Sequence, residues 1–261
     1  MHRPRRSRRK NSRQDLRNFL KTLNIILFCA AGVFALYCFS QSPFFALQYL
    51  EVEGLKRLSL AEVKRESGLT EGSNLFQIDC AQARKRLLAH PLIEQVEVKR
   101  RMPRTVLIKL REREPRACLL VGNQFLILDR KGYCIDKITS LGPYSLPIIT
   151  GLEPASTALG QQVSRNRALA VVLSALDEDV QSFFSEVNLA VPEQIIAYSR
   201  EGIPILLGIH ENLPEKLRLA VSFMGSLESD EAVEYVDLRA VQAPAVKYRE
   251  NKAQEDKKFF R

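Results

Sequence analysis

The chain is poor in the residues that catalytic chemistry draws on. Among 261 residues there are 3 histidines and no tryptophan. His2 lies in a basic tail, His90 precedes Pro91, and His210 follows a strand pattern. None has the spacing of a nucleophile elbow or a metal-ligand pair. A glycine-rich phosphate loop is also missing. The 5 cysteines are widely spaced and form no CxxC pair, so neither a zinc pattern nor a disulfide framework is present. Catalytic, cofactor-binding and metal-binding residues are therefore all expected to be absent. The acidic cluster Asp177, Glu178, Asp179 reads as a solvated turn after a helix.

A second absence is of charge. No charged residue occurs from Thr22 to Leu50. A helix needs ~20 mostly apolar residues to cross a bilayer core, and it satisfies its own backbone there. Upstream lie Arg3, Arg5, Arg6, Arg8, Arg9, Lys10, Arg13, Arg17 and Lys21, opposed by Asp15 alone. Basic flanks stay on the cytoplasmic side. The expected layout is a basic cytoplasmic tail at 1–21, a transmembrane helix at 22–42 and the bulk of the chain outside. A cleaved signal peptide is the competing reading, with Cys38 and Ser40 as its small pair. Tyr37, Phe39, Phe44 and Phe45 crowd that cut region and favour the anchor. The net charge of +9 sits almost entirely in residues 1–21. It is a topology signal, not a nucleic-acid face, although it would also be drawn to anionic lipid.

From residue 49 the pattern changes to short alternating runs. Tyr49–Gly54 alternates and ends on glycine, as a strand does. Ser59-Leu-Ala-Glu62 fits a capping box and Gly68 a C-terminal cap. Asp79, with Gln82 three residues on, caps a second helix that His90-Pro91 ends. Its expected apolar face is Ala81, Ala83, Leu87 and Leu88. Val96 and Val98, then Val106, Ile108 and Leu110, alternate around the turn Arg100–Arg104 as a hairpin. Lys99–Arg104 has two readings, a solvated hairpin end or a docking site.

These residues resemble a POTRA domain in the order β-α-α-β-β. The resemblance is carried by Val52-Glu-Gly54, Gly68, Gly72-Ser-Asn-Leu-Phe76, Leu87, Pro91-Leu-Ile93, Arg100-Arg-Met-Pro103 and Glu112-Arg-Glu-Pro115. Behind a single anchor, it is similar to the FtsQ/DivIB family of bacterial cell-division proteins. That family usually has tryptophan where Leu92 stands, and leucine can fill the same apolar slot.

The remainder reads as strands at Ala117–Val121, Phe125–Asp129, Tyr133–Ile138, Val187–Val191, Gln194–Ser199, Ile203–Ile209, Ala232–Arg239 and Ala243–Tyr248. One helix is capped by Ser164, with Ala168, Leu169, Val172, Leu173 and Leu176 inward. Another is capped by Asn212, with Leu213, Leu217, Ala220, Val221, Met224 and Leu227 inward. Cys118 and Cys134 fall in strands, either as a disulfide or as two small buried hydrophobes. Leu126–Gly132, Leu146–Gly151 and Tyr235-Val-Asp-Leu-Arg239 resemble the second domain of the same family. The expected fold class is α+β: one transmembrane helix, a POTRA domain at 47–115, and a mixed α+β domain with a mainly antiparallel sheet at 116–249. A disordered tail is expected at 250–261.

The resemblance implies a non-enzymatic membrane scaffold at the division septum. It would link early cytoplasmic division components to septal peptidoglycan synthesis. Implied partners are FtsB/FtsL-like bitopic proteins and septal wall synthases, with no nucleic acid and no small-molecule substrate. Partner binding falls on Arg239, Ala240, Val241, Ala245, Val246 and Tyr248, where an extended segment would add as a further strand. Ala240 departs from the larger residue usual in the family. Pro244 suits an edge strand, because it lacks an N–H; an edge blunted against pairing is the alternative. Two other function classes are a POTRA component of outer-membrane assembly or transport and a membrane-anchored enzyme.

Overall fold

The computed structural model describes residues 8–142, 144–191, 193–226 and 233–249. It begins with one long helix, α1 (Arg8–Ser40). At 1.5 Å per residue this helix extends for ~50 Å. Within its portion Asp15–Ser40, an 18-residue window has a mean hydropathy of 2.1 and no buried residue. Phe28 is 82% exposed, and Leu27, Phe34 and Leu36 are exposed beside it. A helix apolar on all sides needs lipid as its solvent, so this one is consistent with single-pass anchoring. It runs without a break through Lys21, joining basic and apolar segments. Residues 1–7 of the basic tail lie outside the described residues.

Beyond α1 come β1 (Tyr49–Glu53), α2 (Leu60–Ser67), α3 (Cys80–Leu88), β2 (Ile93–Arg101) and β3 (Thr105–Glu112). The strands form a three-stranded sheet in the order β1-β3-β2. The POTRA element order is therefore present. β1 and β3 are parallel, in register from Tyr49↔Thr105 to Glu53↔Lys109. The helix ends follow the sequence signals. Ser59 precedes α2, Gly68 follows it at φ +68°, and Asp79 Oδ1 accepts the Gln82 N–H at 2.9 Å. The buried face of α3 is narrower than expected. Ala83 and Leu87 are buried, whereas Ala81 and Leu88 are exposed. On a helix of nine residues only the i, i+4 pair shares the inward line.

Contacts divide the chain into two compact units: residues 1–53, 60–84 and 97–109, and residues 54–59, 85–96 and 110–261. Within the second, Glu112 organises the loop after Gly54. Its side chain is nearly all buried, and the residue is 4% exposed. The carboxylate accepts backbone N–H groups from Lys56 at 2.8 Å, Arg57 at 2.9 Å and Leu58 at 3.1 Å. Gly54 sits at φ +91°, and a Cβ there would lie 2.0 Å from the Leu110 carbonyl oxygen. Only glycine fits. A second carboxylate holds the next turn: Asp129 Oδ1 accepts N–H groups from Lys131 at 2.9 Å and Tyr133 at 2.8 Å. Arg113 donates to Asp129 and lies 4.1 Å over the Tyr133 ring.

The same unit contains β4 (Pro115–Val121), β5 (Gln124–Asp129), β6 (Cys134–Ile138), β7 (Ile148–Thr150), α4 (Arg167–Ala175), α5 (Glu178–Gln181), β8 (Phe184–Asn188), β9 (Ile195–Ser199), β10 (Pro204–Gly208), α6 (Leu213–Ser226), β11 (Val233–Asp237) and β12 (Ala245–Tyr248). Among the described residues its nine strands run in the order β12-β11-β10-β9-β8-β7-β4-β5-β6. The β4–β7, β7–β8 and β10–β11 pairs are parallel, and the other five are antiparallel. The sheet is thus mixed. A core of Leu169, Val172, Leu173, Leu217 and Ala220 from the helices packs with Phe184, Ala197, Ile205 and Val236 from the strands. A smaller cluster of Cys118, Ile127, Ile135 and Leu146, with half-buried Leu92 against it, forms separately.

Several local expectations are corrected. Asn166, not Ser164, caps α4, accepting N–H groups from Ala168 at 2.8 Å and Leu169 at 3.3 Å. Ser164 instead accepts the Asn166 N–H at 3.1 Å, setting the cap in place. Asn212 precedes α6 at φ +53°, and its backbone carbonyl accepts from Glu215 and Lys216. Asp177 caps the one-turn helix α5, so the acidic cluster is helical rather than a bare turn. β8 begins at Phe184, and β7 lies inside the Leu146–Gly151 phrase. Cys118 and Cys134 are both free and buried in different clusters, with Ile127 and Leu128 of β5 as their strand partners. They are small core residues; burial pushes the Cys118 thiol up to about 11. Leu227, Ala232 and the expected tail from 250 lie outside the described residues.

Two predictions follow from this packing. Glu112→Ala removes the carboxylate that three backbone donors share, and a loss of ~1–3 kcal/mol is expected. Leu87→Ala, at a fully buried position, should cost ~2–5 kcal/mol. Urea unfolding of the chain in detergent micelles measures both. A change below ~0.5 kcal/mol in either, the range of ordinary surface substitutions, would contradict the assignment.

The third concerns acid. Glu94 has a side chain 8% exposed, and it pairs with Arg111, Arg130 and Lys131 at 2.9–3.0 Å. Burial alone would raise its pKa, but hydrogen bonds from Lys131 and Arg130 bring it down from 4.5 to about 2. A carboxyl depressed in the folded state contributes stability above its unfolded pKa and loses it as pH falls. The window here is pH 4.5 to about 2. Glu94→Gln should flatten the acid loss of stability across that window, and an unchanged slope would contradict the pairing.

Candidate functional site: the terminal strand β12

The end of the nine-stranded sheet is built from β10, β11, the loop after β11, and β12. In β11 Val233 and Val236 are buried and Glu234 and Tyr235 half-buried, a spacing of three that the register shift between Val233 and Tyr235 brings to one side. Leu238 continues the line, donating its N–H to the Leu206 carbonyl at 2.9 Å. The chain then leaves the sheet, and the Ala243 N–H reaches the Ala240 carbonyl at 3.1 Å to close a turn. Pro244 ends the turn, and β12 returns antiparallel to β11, pairing Asp237↔Ala245, Val236↔Val246 and Tyr235↔Lys247.

The six residues expected at the partner site fall into two groups. Ala245, Val246 and Tyr248 lie on β12. Arg239, Ala240 and Val241 form the first half of the connecting loop. Val246 is half-buried and packs against the main core, so it tethers the strand. Tyr248 falls on the same side by alternation, opposite Val233, and is 44% exposed. Ala245 and Lys247 take the other side. Lys247 bridges to Glu234 at 3.1 Å and stands 5.6 Å over the Tyr235 ring.

Beside the loop is a cavity of about 220 Å³. Ile209, Asn212, Lys216, Arg239, Ala240 and Val241 are among its lining residues. Arg239 is oriented by Asp237, whose carboxylate accepts its Nε at 3.0 Å and its backbone N–H at 3.0 Å. Those bonds hold the Asp237 carboxyl below the usual carboxylate range. The aliphatic part of Arg239 covers Gly208, where a Cβ would meet Arg239 Cγ at 3.1 Å. Sequence reasoning missed Lys216. It is 3% exposed, and its ammonium donates to the Leu207 carbonyl at 2.6 Å and the Ile209 carbonyl at 3.3 Å. Burial lowers its pKa. Its signal was position: Leu213, Lys216, Leu217 and Ala220 share one helical face.

What this arrangement offers is main-chain hydrogen bonding. β12 is terminal, and among the described residues no strand pairs with its outer side. Successive backbone groups of a strand point to alternate edges, so part of its N–H and C=O set faces outward. Among the described residues there is no cluster of three or more metal-binding side chains.

Comparison with known proteins places this geometry in a family. The family model described as POTRA domain, FtsQ-type, matches residues 45–113. The model described as cell division protein FtsQ/DivIB, C-terminal, matches residues 118–239. It ends at Arg239, so the loop from Ala240 and the whole of β12 lie beyond it. A cell division protein FtsQ of Geobacter sp. is 30% identical over 206 residues, covering 76% of this chain and 74% of its own. FtsQ of Myxococcus fulvus is 29% identical over 184 residues, covering 69% of this chain and 64% of its own length. DivIB of Clostridium tetani is 22% identical over 194 residues, covering 72% of each. These relatives are named as division proteins and not as enzymes. With an anchor-length helix, the POTRA order and the C-terminal domain in one chain, the protein belongs to the FtsQ/DivIB family of cell division proteins.

Proposed function

We propose that the chain is a non-enzymatic, single-pass scaffold of the bacterial division machinery. Its N-terminus, residues 1–21, stays in the cytoplasm, and residues 22–42 cross the inner membrane. The POTRA domain at 47–115 and the second domain at 116–249 lie outside, at the division septum. The protein links early cytoplasmic division components to septal peptidoglycan synthesis through protein contacts. Its partners are FtsB/FtsL-like bitopic proteins and the septal wall synthases.

The observation that carries the binding mode is the terminal position of β12. An extended partner segment adds there as a tenth strand, with backbone hydrogen bonds for affinity and alternate side chains for specificity. Tyr248 is the anchor, because a half-exposed aromatic at a strand edge offers large apolar area. Arg239, Ala240 and Val241 contact the same segment from the loop. Ala240 leaves room for a bulkier partner side chain.

A stop after Val241 removes β12 and leaves β11 in place. Such a truncation should abolish recovery of bitopic partners from membranes, while Tyr248→Ala should weaken it. Circular dichroism checks that both variants keep the native helix and strand content. Full partner recovery by a folded truncated chain would contradict the binding mode.

A further inference from the structure

The hairpin end Lys99–Arg104 is not used by the β12 reading, and the topology gives it a place. β1 and β3 are parallel and in register from their first residues, Tyr49↔Thr105. The turn before β3 must therefore lie at the end of the sheet where the chain arrives from α1. Hydrogen bonds confirm this. The Gln48 N–H donates to the Arg104 carbonyl at 2.9 Å, and Arg104 Nε donates to the Phe44 carbonyl at 3.2 Å. The Arg104 guanidinium carbon is 5.3 Å from the centre of the Phe44 ring. The exit of α1 is tied to the same place: Asn74 Nδ2 donates to the Ser40 carbonyl at 2.7 Å, and the Leu75 N–H to the Phe45 carbonyl at 2.8 Å.

This junction has the chemistry of a membrane interface. From Lys21 to Ser40 an α-helix covers ~30 Å, the thickness of a bilayer core. Phe39, Phe44, Phe45 and Phe76 then form a chain of ring contacts at 4.9–6.2 Å. Phe44 and Phe76 remain exposed, and Met102 at the hairpin tip is 52% exposed. Phenylalanines on an interfacial surface bury their rings at the boundary of headgroups and acyl chains. Among the described residues Arg101 pairs with Glu51 at 2.8 Å, whereas Arg100 and Arg104 meet only uncharged groups. Their charge is available to phosphate.

We propose that the hairpin end, with Met102 at its tip and Arg100 and Arg104 behind it, rests on the bilayer surface beside the anchor and binds the phosphates of anionic phospholipid headgroups. The aromatic chain fills the level between lipid tails and headgroups. The proposal rests on α1 spanning the membrane. It gives the charged turn a ligand distinct from the partner at β12.

The absence of tryptophan makes the test direct. Met102→Trp, Lys109→Trp and Phe28→Trp are placed singly in the full chain and reconstituted in nanodiscs whose lipids carry a spin-label quencher, at shallow depth for Met102→Trp and Lys109→Trp and at mid-chain depth for Phe28→Trp. Lys109 lies four residues up β3 from Thr105, ~13 Å from the hairpin end. In discs containing phosphatidylglycerol, Met102→Trp should emit at shorter wavelength than Lys109→Trp and be quenched more. Adding Arg104→Gln should reduce that quenching, and Arg104→Lys should retain it. Discs of phosphatidylcholine alone should show the smaller quenching too. If Phe28→Trp is quenched but Met102→Trp matches Lys109→Trp, the surface contact is overturned and the anchor stands. An unquenched Phe28→Trp removes the anchor and the proposal with it. Equal quenching of Met102→Trp in both lipid compositions overturns the phosphate assignment.

Discussion

Three backbone N–H groups converge on one buried carboxylate, that of Glu112. A charge out of water is costly unless its lone pairs are met, and here the loop at 56–58 meets them. The loop can reach only because Gly54 takes a conformation, and an approach to Leu110, that a side chain would block. Asp129 repeats the device at the next turn, holding two N–H groups and Arg113. Two carboxylates thus fix the path of the chain on either side of Glu114 and Pro115, where β4 begins. The motifs Val52-Glu-Gly54, Glu112-Arg-Glu-Pro115 and Asp129-Arg-Lys-Gly132 are parts of these two devices.

From β4 onward the sheet grows outward in both directions, with three parallel pairs and five antiparallel ones. Helices α4 and α6 contribute to its main core. A sheet must end somewhere, and a terminal strand has unpaired backbone groups along one side. In this chain one end is β12, a strand of four residues tethered by Val246 and preceded by Pro244. It is short and carries Lys247, as edges that avoid self-association do. The same features leave a small, defined strip of backbone that no strand among the described residues pairs with. Lys216 supports that strip indirectly: its ammonium binds the carbonyls at the end of β10, under the loop that carries Arg239.

Much of this was legible because short-range chemistry decides it. Ser59, Gly68 and Asp79 marked helix ends, and alternation in Val106, Ile108 and Leu110 marked an inward strand face. The parallel pairs were not legible. β7 has three residues, and its pairing with β4 and β8 depends on segments distant in sequence. The start of β8 was misplaced because adjacent Phe183 and Phe184 hide the alternation. Lysine on an apolar helical face reads as solvent-exposed, and only the packing of α6 beside β10 supplies the carbonyls that bury Lys216. Around the candidate site, the strand β12 and the place of Tyr248 on it were legible, while the cavity floor at Lys216 and the brace of Arg239 by Asp237 were not.

The account makes β12 the place where a partner strand forms its hydrogen bonds. Amide hydrogen exchange, followed on the full chain in detergent with and without the extracytoplasmic segment of a bitopic partner, tests this directly. The account predicts that exchange slows at Ala245–Tyr248, in alternate residues whose N–H groups face away from β11. Unchanged exchange along β12, with new protection appearing elsewhere on the chain, would contradict it.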